Sequence, residues 1–119
     1  MSGTVFIVED DVDTREMLGH FLKTVGYRVE TAENGKVALE RLASGVRPSV
    51  ILLDLMMPVM DGWQFRRAQV LDSRLATIPV IVVSAAGRER STQIDADEYL
   101  SKPVNLDELL ARVTYYCGT

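Results

Sequence analysis

Six side chains able to do chemistry stand at four places in the chain: Glu9–Asp10–Asp11, Asp54, Ser84 and Lys102. Carboxylates held close together repel one another unless a cation lies between them. Hard oxygen ligands beside a phosphate partner suit Mg²⁺. Zinc prefers His and Cys ligands, and the chain has one of each, His20 inside the first helix and Cys117 near the end. A carboxylate such as Asp54 can act as a nucleophile in phosphoryl transfer, forming an aspartyl phosphate. Mg²⁺ and a lysine such as Lys102 would neutralise the charge on the transferring group. The Ser84 hydroxyl could bond the same anion.

These residues meet only if the fold brings them together. "TVFIV" before Glu9, "SVILLDL" around Asp54 and "IPVIVVSA" around Ser84 are short, apolar and rich in β-branched residues. They read as strands buried on both faces. "YRVETA" alternates and reads as a more exposed strand, and "EYLS" before Lys102 is a short fifth one. Between them lie helical patterns. Met17, Leu18, Phe21, Leu22 and Val25 precede Gly26; Val37, Ala38, Leu42 and Ala43 follow a capping Asn34; Phe65, Ala68 and Leu71 follow Asp61–Gly62. Asn105 caps a last helix with Glu108 three residues on and Leu106, Leu109, Leu110 and Val113 as its stripe.

Alternating strands and helices predict an α/β fold, a flavodoxin-like doubly wound sheet of five parallel strands in the order 2-1-3-4-5. The site of such a sheet lies beyond the carboxyl ends of its strands. Each of the four places follows or ends a strand, so all gather at one edge. The strands that end in Glu9–Asp10–Asp11 and in Asp54 are neighbours in this order, about 4.8 Å apart. Lys102 lies two strands from Asp54, roughly 10 Å across the sheet, with Ser84 on the strand between. An anion placed there would touch Asp54, Ser84 and Lys102. One unit is irregular. Fourteen residues separate Ser84 from Tyr99, which predicts a shortened or irregular fourth helix within "GRERSTQIDAD".

Taken singly, each feature has a plainer reading. The acid run could charge a helix N-terminus, Asp54 could form an Asx turn, and Lys102 could guard a sheet edge. Trp63, Met56, Met57 and Met60 read as packing, and Asp61 as a helix cap. Coincidence of all four strand-end features in chain order is what favours a site.

Length and composition narrow the field. The chain has 119 residues, 47% of them apolar, a net charge of −4 and a single cysteine. One domain, residues 1–119, is expected. The charge argues against direct nucleic-acid binding, which needs clustered Lys and Arg. No apolar run approaches a membrane span, and "MSGTVFIVEDD" reaches acids too early for a signal peptide. A lone cysteine agrees with a reducing compartment. The expected location is cytoplasmic.

"VFIVEDD", "ILLDLMMPVMDG", "IPVIVVSA" and "YLSKPV", in that order, make the chain resemble the CheY-like receiver domains of two-component response regulators. The resemblance implies that Asp54 is the phosphoacceptor and that Glu9 and Asp10 hold Mg²⁺ together with Asp54 and the Met56 carbonyl, Asp11 being secondary. It implies that Lys102 binds the phosphoryl group, with a cis Lys102–Pro103 bond. Ser84 and Tyr99 would be the switch residues, Pro58 and Gly62 would shape the loop after Asp54, and Met56 and Ala86 would tune phosphate lifetime. The implied partners are a histidine kinase or phosphotransfer protein and a downstream protein target. Such a domain catalyses its own phosphoryl transfer and autodephosphorylation only. Two alternatives compete with this phosphorelay role. A Mg²⁺-dependent phosphohydrolase with an aspartyl-phosphate intermediate would need a second acid where Met56 stands, and a substrate-covering cap. A receiver-like interaction module that is never phosphorylated would not need the full set of Glu9, Asp10, Asp54, Ser84 and Lys102.

Overall fold

The computed structural model describes residues 3–85 and 94–118. The expected short fourth helix, and Ala86 with it, fall largely outside these. The strands are β1 (Thr4–Val8), β2 (Arg28–Ala32), β3 (Val50–Leu53), β4 (Val80–Ser84) and β5 (Glu98–Ser101). The helices are α1 (Val12–Thr24), α2 (Gly35–Ala43), α3 (Gly62–Leu71) and the C-terminal α4 (Leu106–Cys117). All strand pairs are parallel, in the order β2-β1-β3-β4-β5. This is the expected doubly wound sheet.

Period-two alternation divides the strands between two cores. Phe6, Val8, Ile51, Leu53, Val80 and Val82 pack with Ala38, Leu42 and Phe65 of α2 and α3. Val5, Ile7, Val50, Leu52, Ile81, Val83 and Leu100 pack with Leu18, Leu22, Leu109 and Val113 of α1 and α4. Both faces of β1, β3 and β4 are therefore dry, which explains their unbroken apolar sequences. β2 lies at the sheet edge and only Ala32 of its five residues is buried.

Each helix starts on a side-chain cap. Asp11, Asn34, Asp61 and Asn105 accept from the backbone N–H three residues on. The expected caps Asn34, Asp61 and Asn105 are all present. A reciprocal capping box forms at Asp61, where Gln64 also returns a bond to the cap.

Two helix faces differ from expectation. Met17 is 43% exposed, and α1 instead lays Leu18, Gly19 and Leu22 on the sheet. A Cβ on Gly19 would lie 3.6 Å from Val29 and 3.9 Å from Ile7, so the helix rests on its glycine. Leu71 is 86% exposed, while the polar Gln69 is fully buried. Gln69 Nε2 donates to the carbonyls of Leu75 (2.9 Å) and Ile78 (3.0 Å). A buried amide is stable when its bonds are satisfied, and here it ties α3 to the turn that enters β4.

Candidate functional site

The parallel registers place the candidate residues before any side-chain contact is considered. Val8 pairs with Leu53, so Glu9 stands level with Asp54. The ladder runs one residue further: the Asp54 N–H donates to the Val8 carbonyl and the Glu9 N–H to the Ala32 carbonyl, both at 3.0 Å. Glu9 continues the alternation Val5, Ile7, and Asp54 continues Val50, Leu52, so both acids belong to the α1–α4 side of the sheet. Lys102 follows Leu100 on the same side.

There the acids converge. Carboxylate oxygens of Glu9, Asp10 and Asp54 lie within 4.8 Å of one another. Glu9 and Asp54 are buried and Asp10 is exposed. Lys102 Nζ donates to Glu9 Oε1 at 2.6 Å and stands 3.6 Å from Asp54 Oδ2. Sequence reasoning anticipated that Lys102 would face Asp54. It missed the shorter bond to Glu9. Two buried acids need a nearby cation, and among the described residues Lys102 is the one within ion-pair distance of both.

The electrostatics are strained accordingly. Burial pushes the Glu9 carboxyl up from 4.5 to about 7; the Lys102 bond opposes the rise and the Asp54 charge adds to it. For Lys102, burial acts to lower the pKa. Its bond to Glu9 and the charges of Asp54, Glu9 and Asp10 outweigh this and raise it.

Asp11, the third acid, is used otherwise. Its side chain accepts from the Thr14 N–H (2.9 Å) and hydroxyl (2.5 Å), capping α1. Those bonds hold its carboxyl below the usual range. The Asp11 N–H donates to Glu9 Oε2 at 3.2 Å. Arg15, which sequence reasoning passed over, donates from Nη1 to the Glu9 carbonyl at 2.7 Å and reaches the Asp10 carbonyl at 3.4 Å. Its position four residues after the Asp11 cap was the available signal, since residues i and i+4 share a helix face. His20 is exposed on α1 and is not among the clustered ligand atoms of Glu9, Asp10 and Asp54.

The loop after Asp54 is built by close approach. The Met56 N–H faces Asp54 Oδ1 at 3.4 Å. Gly62 donates to the Leu55 carbonyl at 3.0 Å. A Cβ on Gly62 would lie 2.6 Å from the Asp54 carbonyl oxygen and 2.8 Å from Leu55 Cα, so only glycine fits. Pro58 sits exposed in this loop. Val59 beside it adopts φ 70°, an unusual conformation for a β-branched residue.

Ser84 ends β4, buried, opposite Ser101. Its carbonyl accepts from the Lys102 N–H at 3.1 Å. Tyr99 pairs with Val82, which places it on the same sheet face as Ser84. Its ring is partly exposed, and its hydroxyl donates to the Ile94 carbonyl and accepts from the Ala96 N–H at 3.1 Å. The Lys102–Pro103 peptide is cis, as the resemblance implied.

The chain matches the family model of the response regulator receiver domain over residues 5–114. It belongs to the response-regulator receiver family. The response regulator MprA of Mycobacterium ulcerans is 43% identical over 117 residues, which cover 95% of this chain and 49% of that protein. This receiver thus spans about half the length of the curated relatives it matches. The Vibrio cholerae chemotaxis protein CheY4 superposes with a TM-score of 0.87 at 32% identity, over 98% of this chain and 99% of that one. The receiver domain of a sensor histidine kinase from Pseudomonas aeruginosa superposes with a TM-score of 0.88 at 27% identity over the full length of both chains. That structure is described with magnesium coordinated in its active-site cleft. In this receiver, the three convergent acids are an all-oxygen donor set of the kind a hard divalent ion takes. Among the described residues no helix is long and apolar enough to cross a membrane.

Proposed function

We propose that this receiver takes a phosphoryl group on Asp54 from a phosphohistidine of a histidine kinase or phosphotransfer protein. The observation that carries the reading is the placement of Lys102 Nζ against Glu9 and Asp54 at the carboxyl edge of the sheet. An Asp54 carboxylate oxygen attacks phosphorus. The P–N bond breaks, and its electron pair stays on the imidazole nitrogen of the donor. Glu9, Asp10, Asp54 and the Met56 carbonyl would hold Mg²⁺, which supplies charge neutralisation for the phosphoryl oxygens. Lys102 exchanges its bond to Glu9 for one to the phosphoryl group, and the Ser84 hydroxyl donates to another of its oxygens.

Phosphorylation adds roughly −1.5 to −2 of charge beside side chains already poised around an ammonium. Ser84 moves toward the new oxygens and Tyr99, on the same sheet face, turns into the space released. The altered surface, formed by the segment after β4, β5 and α4, meets a downstream protein. Residues 1–119 act as one receiver domain in the cytoplasm, without direct nucleic-acid contact and without an external substrate. Met56 and Ala86 set how long the phosphoryl group survives water attack.

The test is incubation with acetyl phosphate and Mg²⁺, read by intact-protein mass. Wild type gains one phosphoryl group and Asp54→Asn none. Beryllium fluoride should shift wild-type amide resonances around Ser84 and Tyr99. Equal behaviour of the two proteins would overturn the reading and favour an unphosphorylated interaction module. Rapid phosphate release from varied external esters would favour a phosphohydrolase.

A further inference from the structure

We infer that Arg15 is a positioning residue for the divalent-cation site, an inference that rests on the Mg²⁺ reading above. Three successive carbonyls converge on this one residue. Its guanidinium Nη1 bonds the Glu9 carbonyl at 2.7 Å and reaches the Asp10 carbonyl at 3.4 Å. Its backbone N–H bonds the Asp11 carbonyl at 2.9 Å. The turn from β1 into α1 is thus tied, carbonyl by carbonyl, to the first turn of the helix.

The turn needs such a tie. The β1–β2 ladder ends with the Glu9 N–H on Ala32, so the Glu9 carbonyl lies beyond the last strand pairing. Bonding that oxygen, together with Asp10's, fixes the peptide planes from which both carboxylates leave. The Asp11 N–H on Glu9 Oε2 restrains the same turn from the other side. Glu9 and Asp10 then present their oxygens beside Asp54 without reorganising when the ion arrives. Partners that orient metal ligands govern affinity in this way although they never touch the ion.

Charge alone predicts the opposite sign. A guanidinium near a cation site repels the cation, so removing it should tighten binding. Positioning predicts that removal weakens binding. The two effects can therefore be separated by direction.

Mg²⁺ titration by calorimetry of wild type, Arg15→Met, Arg15→Gln and Arg15→Lys tests the inference. Arg15→Met keeps the apolar stem without the donors, and should bind Mg²⁺ about tenfold more weakly. Arg15→Lys, with one ammonium for the two carbonyls, should stay within about threefold of wild type, and Arg15→Gln should fall between. Urea midpoints in EDTA check that each variant is folded, and the Gln and Lys proteins carry the test if the Met protein is not. The second readout is phosphorylation by acetyl phosphate as a function of Mg²⁺. The Arg15→Met curve should shift to higher Mg²⁺ and reach the wild-type rate at saturation. Unchanged or tighter Mg²⁺ binding, or a deficit that persists at saturation, overturns the inference. Failure of the wild type to bind Mg²⁺ would overturn the metal reading beneath it.

Discussion

Glu9 should make the metal-free receiver less stable as pH rises, and Glu9→Gln should remove that loss. In the unfolded chain this carboxyl ionises near 4.5, and in the fold it is raised to about 7 by burial. Between those values the folded state keeps a proton that the unfolded state has released. Stability therefore falls as pH climbs from about 4.5 to about 7, then levels off. At roughly 1.4 kcal/mol per pH unit, the gap corresponds to about 3 kcal/mol. Lys102 and Asp54 share this titration, so about 3 kcal/mol is the upper bound for Glu9. Glutamine keeps an acceptor for Lys102 and carries no charge, so the variant should be the more stable protein at high pH. Urea unfolding in EDTA, at about pH 5 and about pH 8, measures both proteins. The Gln-minus-wild-type difference should grow by up to about 2–3 kcal/mol between those conditions, part of the loss being already present at about pH 5. Titrating groups away from Glu9 are common to both proteins and cancel, whereas Lys102 and Asp54, which interact with Glu9, enter the difference. Mg²⁺ should then stabilise wild type more at the higher pH, because ion and proton compete for the same oxygens, and should help Glu9→Gln less. A difference that stays flat with pH, or a variant less stable at pH 8, would refute the claim that Glu9 is held at an energetic cost.

Three further substitutions test the loop after Asp54 and the anchoring of α3. Gly62→Ala places a Cβ 2.6 Å from the Asp54 carbonyl and should cost about 2 kcal/mol or more in urea unfolding, with shifted Asp54 and Leu55 amide resonances; an Ala protein of wild-type stability and spectrum would contradict the packing. Val59 is 74% exposed at φ 70°, so Val59→Gly should raise the thermal midpoint, with a gain of about 1 kcal/mol; a drop would show the loop needs the side chain. Gln69→Leu strips the donors from the Leu75 and Ile78 carbonyls and should destabilise by about 2–4 kcal/mol, although it places an apolar residue in a buried position. A neutral or stabilising Gln69→Leu in denaturant titration would mean those carbonyls find other partners.

The sheet was legible because dry strands leave little ambiguity. Val5–Val8, Val50–Leu53 and Val80–Val83 are buried on both faces, and no helix of ordinary amphipathic pattern reads that way. The strand order then placed Glu9, Asp54, Ser84 and Lys102 at one edge. What escaped was set by tertiary contacts that leave no local pattern. Gln69 reads as a surface residue until the carbonyls it serves are known. Leu71 and Met17 have the right spacing for a core stripe, but spacing does not fix helix rotation. Gly19 and Gln69 decide that rotation, one by admitting the sheet and the other by bonding a turn. The Lys102–Glu9 bond was missed for a related reason. Sequence places Lys102 near two acids, and only the geometry of burial selects which one it bonds.

The segment after β4 is where the proposed signal would leave, and its far flank is held by two separate sets of bonds. On the far side Ile94 is buried, and the Asp95 carbonyl accepts from Arg66 Nε at 2.7 Å. The Asp97 carboxylate accepts from the Val80 N–H at 2.8 Å. Those bonds tie the approach to β5 to α3 and β4, and do not involve Tyr99. The Tyr99 hydroxyl adds two more, to Ile94 and Ala96. Among the described residues, turning Tyr99 inward breaks this last pair, at about 1 kcal/mol each. Exchanging the present Ser84 interaction for a charge-assisted bond to a phosphoryl oxygen contributes about 1–2 kcal/mol net. The two sides nearly balance, which is what a bistable element biased by a modification requires. If Tyr99 also carried the Arg66 and Asp97 tethers, one phosphoryl group could not offset their loss, and the domain would stay locked.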